Sequence, residues 1–69
     1  MLKNHNHDLT HSLSEKCDAV WRYQKEYIKN SSGCEFCTNM WERIMEDDEK
    51  HIGMLKEEIQ RHVRENRFD

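Results

Sequence analysis

Proline is absent from this chain of 69 residues, and glycine occurs only twice, at Gly33 and Gly53. Both residue types interrupt regular structure and mark turns, so their scarcity is typical of long helices with few connections. The length limits the chain to one domain. Hydrophobic residues make up 35% of it and charged residues 36%, which leaves little apolar surface to bury in a small domain. We therefore expect a homo-oligomer, most simply a homodimer.

Other absences limit the kinds of binding partner and the cellular compartments that we expect. Acids and bases are interspersed and the formal net charge is -3, so no basic patch predicts a nucleic-acid partner. No apolar run approaches the about 20 residues that span a membrane, and residues 1–12 lack the apolar core of a signal peptide. We expect a cytoplasmic protein whose three cysteines stay reduced. Their odd number also argues against a closed set of disulfides.

One short stretch, "NSSG" at residues 30–33, divides the chain into two helical halves. The apolar spacing predicts a first helix at about 9–30 and a second at about 33–66. Residues 1–11, which carry three histidines, are expected to be flexible, and residues 67–69 to fray. The predicted fold is all-α: an antiparallel two-helix hairpin over residues 12–66, which dimerises into a four-helix bundle.

Two serines match the pattern of a helix start. Ser12 is followed by Glu15, and Ser32 by Glu35. In a capping box the serine side chain binds a free backbone N–H of the first turn, while the glutamate reaches back to the serine N–H. The pattern favours helix starts at these two serines.

The second predicted helix carries a polar pair within its apolar stripe. Asp48 and His51 are three residues apart and therefore neighbours on one helical face. Burying an unpaired carboxylate is costly, so such groups are paired or bind a metal ion. Inward acid-x-x-His pairs hold the ions of di-iron and di-manganese bundle proteins. Both a metal site and an Asp–His ion pair fit the spacing. The stripe recurs at intervals of three and four through Cys37, Trp41, Ile44, Met45, Asp48, His51, Ile52, Leu55, Ile59 and Val63.

An antiparallel register about the turn places residues 11–17 opposite this pair. Glu15 lies about 160° from the middle of the first helix's apolar face, so an ideal helix aims it at solvent, where it can be the capping partner of Ser12. Cys17 is on the inward side, with His11 nearby. A site of Cys17, Asp48 and His51 would suit zinc, although a small core residue is the alternative for the cysteine.

The stretch "GCEFC" places Cys34 and Cys37 at the start of the second helix. A helix N-terminus favours the thiolate, so a redox pair is one interpretation. Two hairpin tips that pool four thiolates for zinc or an iron–sulfur cluster are another. The third is structural, with Cys37 in the core and Cys34 as a partly exposed residue at the helix start.

The segment "CEFCTNMWERIMEDDEKHIGML" resembles the second helix of a rubrerythrin or ferritin-like half-bundle, with its acid-acid-x-x-His followed by leucine. The segment "SEKCDAVWRYQKEY" supplies an earlier acid, Glu15, at a similar separation from Asp48. A chain of one hairpin looks especially like the encapsulated ferritins. Two departures stand out: Asp48 replaces the usual glutamate, and Arg22 stands where a tyrosine often follows the first acid.

The resemblance implies that two hairpins build a di-iron site across their interface, with Glu15, Asp48 and His51 as ligands. It also implies ferroxidase activity or reduction of peroxide or dioxygen, and a shell protein as a partner. Two other function classes stay open. One is a dimerising scaffold hairpin, metal-free or with zinc, in which the polar pair only fixes register. The other is a thiol redox module that uses Cys34 and Cys37.

Overall fold

The computed structural model describes residues 1–69 and contains helices without strands. Helix α1 (Asn4–Arg22) continues through a π-helical segment (Tyr23–Tyr27) into the short helix α2 (Ile28–Asn30). Backbone dihedral angles stay helical across both junctions, so these three elements form one rod, the first arm (residues 4–30). The second arm is helix α3 (Glu35–Arg64). The all-α class and the two helices are thereby confirmed, and neither arm holds a stretch long and apolar enough to cross a membrane.

The connection between the arms depends on Gly33, whose φ is +93°. Residues other than glycine rarely adopt this backbone angle, so the glycine at position 33 permits the chain to reverse direction. The Ser31 hydroxyl donates to the carbonyl oxygen of Ile28 at 2.7 Å and lies 2.8 Å from Thr38 Oγ1. These bonds satisfy the end of the first arm and tie it to the first turns of α3.

Both helix starts differ from the capping boxes that the sequence indicates. Lys3 precedes α1 and Cys34 precedes α3, and neither makes a side-chain capping bond. Ser12 lies inside α1, and the carboxylate of Glu15 accepts a hydrogen bond from His11 Nε2 at 2.7 Å instead of capping the helix. The helix begins earlier than expected because its first turn contacts the far end of the chain.

Helix α3 ends in a Schellman motif. Asn66 has φ +57°, the Arg67 N–H donates to the carbonyl oxygen of His62 at 2.7 Å, and the Asn66 N–H donates to that of Val63 at 3.1 Å. Asparagine is one of the few residue types besides glycine that tolerate this conformation. The motif turns the carboxyl-terminal residues back towards the start of α1.

The two ends of the chain are joined by this reversal. The backbone N–H of Lys3 donates to the carbonyl oxygen of Asp69 at 2.8 Å, and its ammonium lies 2.9 Å from an Asp69 carboxylate oxygen. Lys3, in the segment 1–11 that we expected to be flexible, is therefore paired with Asp69, in the segment 67–69 that we expected to fray.

Asn6 is the centre of this terminal clasp, which consists of Asn6, His62 and residues 67–69. Its Nδ2 donates to the carbonyl oxygens of Arg67 and Asp69, at 2.9 and 3.0 Å. Its Oδ1 lies 2.8 Å from His62 Nδ1, so this ring nitrogen carries a proton and donates it. Asn6 is 3% exposed and His62 2%. One amide thus satisfies three groups from the other end of the chain.

The hairpin buries no hydrophobic side chain completely. Asn6 and His62 are the buried residues among all 69, and the molecule measures 50 × 19 × 13 Å, which is little more than two helices side by side. Apolar side chains between the arms are therefore covered from one direction only. The large hydrophobic residues left exposed are Met1, Trp21, Phe36, Met40, Met54 and Val63.

Replacing Asn6 by alanine should lower the free energy of unfolding by about 1–3 kcal/mol, because His62 Nδ1 loses its acceptor in a buried site. Urea denaturation followed by circular dichroism at a fixed protein concentration measures this. Asn39→Ala is the matched control, since Asn39 is exposed, and it should stay within about 0.5 kcal/mol of the parent chain. Equal stability of the two variants would show that the clasp does not contribute.

Candidate functional site

A polar cluster lies between the arms near the middle of α3. The Lys16 ammonium donates to Asp48 Oδ1 at 3.1 Å, and the Tyr23 hydroxyl donates to Oδ2 at 3.1 Å. His51 Nδ1 lies 3.3 Å from Oδ1. The Asp48 side chain is 15% exposed and that of His51 50%. We call these four residues the Asp48 cluster.

The first arm aims two of its residues at this carboxylate. Lys16 and Tyr23 are seven residues apart, two helical turns, and so project from the same face. Tyr23 also stacks on Trp41, with ring centroids 5.7 Å apart, and Tyr27 contacts the same indole at 5.0 Å. These aromatic contacts hold the Tyr23 ring against α3. Its hydroxyl group can then reach Asp48, which follows Trp41 on the same helix.

Opposing effects set the protonation state of the cluster. Burial raises the pKa of Asp48, but hydrogen bonds from Lys16, His51 and Tyr23 outweigh it, so the pKa lies below its ordinary value. Burial raises the pKa of Tyr23, and its bond to Asp48 raises it further. The carboxylate is therefore charged at neutral pH and the phenol stays protonated as its donor.

Of the three ligands expected from the resemblance, the structure brings two together. Asp48 and His51 are adjacent, whereas Glu15 is exposed and bonded to His11. Cys17, expected on the inward side, is exposed, and Lys16 occupies the position opposite the carboxylate. Within one chain no three side chains among His, Cys, Asp and Glu are placed to hold a metal ion.

An open groove extends from the Asp48 cluster along the hairpin. It is lined by Ser12, Lys16, His51, Met54, Leu55 and Glu58. Its lining surface is largely apolar, although it includes charged residues. Of the polar pair, His51 is therefore the residue that this groove makes accessible from outside the hairpin.

The two cysteines of the CxxC motif lie at the hairpin tip, well separated from the Asp48 cluster. Cys34 directly precedes α3 and Cys37 is in its first turn. Both thiols are free and exposed. They border a second groove, which is lined by the aromatic rings of Tyr27 and Trp41 and by polar residues of the turn. The expectation that Cys37 packs into a core is not met, because no core reaches the tip.

Lys16 and Tyr23 are the site residues that sequence reasoning missed. An acid in an apolar stripe needs a cation or a donor within reach, and residues 11–17 contain one lysine, Lys16. That requirement was the available signal. The apolar pattern instead favoured Cys17, one residue further along.

Replacing Lys16 by methionine should raise the pKa of Asp48, because the variant keeps the burial and removes a charged donor. A depressed carboxyl pKa contributes stability above the unfolded value of 3.8 and loses it as pH falls through the folded value. At neutral pH the variant should therefore be less stable than the parent chain. On acidification its free energy of unfolding should fall by less than that of the parent chain. Carboxyl NMR titration measures the pKa directly. Lys50→Met, at an exposed lysine, should leave it unchanged, and an unchanged pKa in both variants would contradict the pairing.

No protein-family model matches this chain, and the comparisons with curated proteins and with solved structures find no match.

Proposed function

We propose that two copies of this hairpin pair into a four-helix bundle, and that Asp48 and His51 of each copy bind iron at the interface. The observation that carries this proposal is the position of Asp48. Its carboxylate is charged, 15% exposed and next to His51, on the face of α3 that also carries the apolar stripe. A partner hairpin laid on that face would bury the pair further and bring a second copy of it close by.

The need for a partner follows from the lack of a buried core. No hydrophobic side chain is fully buried in the single chain, and burial of apolar surface is the main favourable term in folding. A standard interface covers about 800 Å² per partner, which is about one seventh of the 5433 Å² exposed by this chain. The groove beside His51, which Met54 and Leu55 also line, supplies apolar surface for such a contact.

The donor chemistry of the pair suits iron. Carboxylate oxygen and imidazole nitrogen are ligands of non-haem iron, and two copies provide two of each. Lys16 now neutralises Asp48 at 3.1 Å, so a divalent cation would displace its ammonium from the carboxylate. Glu15, held by His11 on the exposed side, is outside this ligand set. Iron in such a site can cycle between its ferrous and ferric states, and the activity we propose is oxidation of Fe(II) by dioxygen or peroxide.

Anaerobic titration with Fe(II), followed by metal analysis and native mass spectrometry, tests the proposal. The parent chain should form an even-numbered assembly that retains iron. Asp48→Asn and His51→Ala should each lose that iron, because a ligand is removed. Asp47→Asn and His7→Ala are the matched controls, because each removes the same kind of group from a more exposed position. Both control variants should retain the iron. Stoichiometric iron in the His51 variant would overturn the assignment.

Lys16→Met should bind Fe(II) more tightly than the parent chain, because the ammonium no longer competes for Asp48. Competition with a chromogenic chelator measures the change in affinity. Weaker or unchanged binding in this variant would show that the metal does not use the Asp48 carboxylate. Lys50→Met again serves as the charge-matched control.

A second candidate function is a metal-free dimerisation module. The observation that favours it is that Asp48 already has three partners, so its charge is compensated without a metal. In that case the cluster fixes the register of the arms, as buried polar groups do in some helical assemblies. Sedimentation analysis would find a metal-free dimer that Leu55→Asp dissociates, and Lys16→Met would lose stability without gaining any affinity for iron.

A further inference from the structure

The hairpin tip carries a pair of thiols that neither the iron proposal nor the dimerisation proposal uses. Cys34 and Cys37 are separated by two residues and stand at the first turn of α3, where residues three apart lie on the same side. Cys34 is still extended, with φ -124° and ψ 95°, and directly precedes the free backbone N–H groups at the start of α3. Cys37 follows on the helix itself, on the same side.

The tip makes the two thiols unequal. Interaction with the Cys37 thiol lowers the pKa of Cys34, and the backbone N–H groups of Cys37 and Phe36 lower it further. The same contact with Cys34 raises the pKa of Cys37. Free N–H groups at a helix start stabilise negative charge, and they do so here for the first thiol of the pair. Cys34 is thus suited to attack a disulfide as a thiolate, and Cys37 to attack the mixed disulfide that results.

Access to the pair is open from one side. Both cysteines are exposed, and they line a groove together with Tyr27, Trp41 and the turn residues Asn30, Ser31 and Ser32. The groove therefore offers both aromatic and hydrogen-bonding surface next to the thiols. Cys17, the third cysteine, is also exposed but has no second thiol beside it.

We propose that Cys34 and Cys37 form a dithiol that reduces low-molecular-weight disulfides and becomes an intramolecular disulfide. The Cys34 thiolate attacks one sulfur of the small disulfide, which forms a mixed disulfide and releases the first small thiolate. Cys37 then loses its proton and attacks Cys34 Sγ, which closes the protein disulfide and releases the second. The two protons of the protein thiols end on the two released thiols, and two electrons pass from the protein to the small disulfide.

The experiment uses oxidised glutathione as the probe and the full chain in a Cys17→Ser background, so that only the pair reacts. Mass spectrometry after acid quenching should find the chain lighter by two hydrogen atoms, with no glutathione attached. Cys37→Ser in the same background should stop at a mixed disulfide with glutathione on Cys34. Cys34→Ser should react several-fold more slowly than Cys37→Ser, because the thiol stabilised by the helix start is gone.

Controls separate this proposal from loss of structure and from other uses of the thiols. Helicity measured by circular dichroism should be unchanged in each serine variant, since the cysteines are exposed. The rate for Cys37→Ser should rise with pH below the ordinary thiol range and then level off. Stable glutathione adducts on both cysteines of the Cys17→Ser chain would overturn the proposal. So would a disulfide that joins two chains, or a zinc ion that holds the pair and blocks reaction with the probe.

Discussion

Polar contacts at three levels hold the two arms in register, because two helices alone cannot enclose an apolar core. The Asn6 amide links the open end, the Asp48 carboxylate links the middle, and the Ser31 and Thr38 hydroxyls link the turn. Apolar surfaces slide past each other at little cost, whereas a hydrogen bond or ion pair is lost when its partners move by an ångström or two. The apolar side chains between the arms supply attraction, and these three contacts decide which residues face each other.

The same shortage of apolar volume explains why a charged residue lies between the arms. In a fully enclosed core, Asp48 would lose most of its hydration and would be hard to compensate. In this open hairpin it keeps some access to water, and Lys16 can reach it with an apolar stem along the first arm and its ammonium at the carboxylate. Association with a second hairpin would remove that water. The loss of hydration at the Asp48 carboxylate would then have to be offset by Lys16, by charges of the partner or by a bound cation.

Sequence patterns predicted the broad features of the fold because those depend on local chemistry. The glycine at the turn and the spacing of apolar residues on α3 are visible within a few residues. Residues 1–11 were expected to be flexible and residues 67–69 to fray, since nothing local ties them down. The contacts between these two segments depend on Asn66, where the backbone reverses, and on Asn6, whose partners lie at the other end of the sequence. Contacts of that range have no periodic signature.

The site was predicted in part for a similar reason. Asp48 and His51 share one helix, so their spacing alone makes them neighbours. Which residue of the first arm faces them depends on the rotation of that arm about its axis. Lys16 and Cys17 are adjacent in sequence, so a rotation by one residue decides which of the two faces Asp48. Apolar periodicity favoured the cysteine. The carboxylate's need for a cation, together with the stacking of Tyr23 on Trp41, turns the arm so that Lys16 faces inward.

The position of the Asp48 cluster along α3 also limits what the cysteine pair can do in a dimer. Asp48 is close to the midpoint of Glu35–Arg64, so a two-fold axis at its level brings the two clusters together when the hairpins run in opposite directions. At a rise of about 1.5 Å per residue, the cysteines of each hairpin are about 20 Å from that axis, on opposite sides. In this pairing the two tips are about 40 Å apart and cannot pool their thiolates around one metal ion. Each Cys34–Cys37 pair would then react within its own chain, and any chemistry shared by two such hairpins would lie at the level of Asp48.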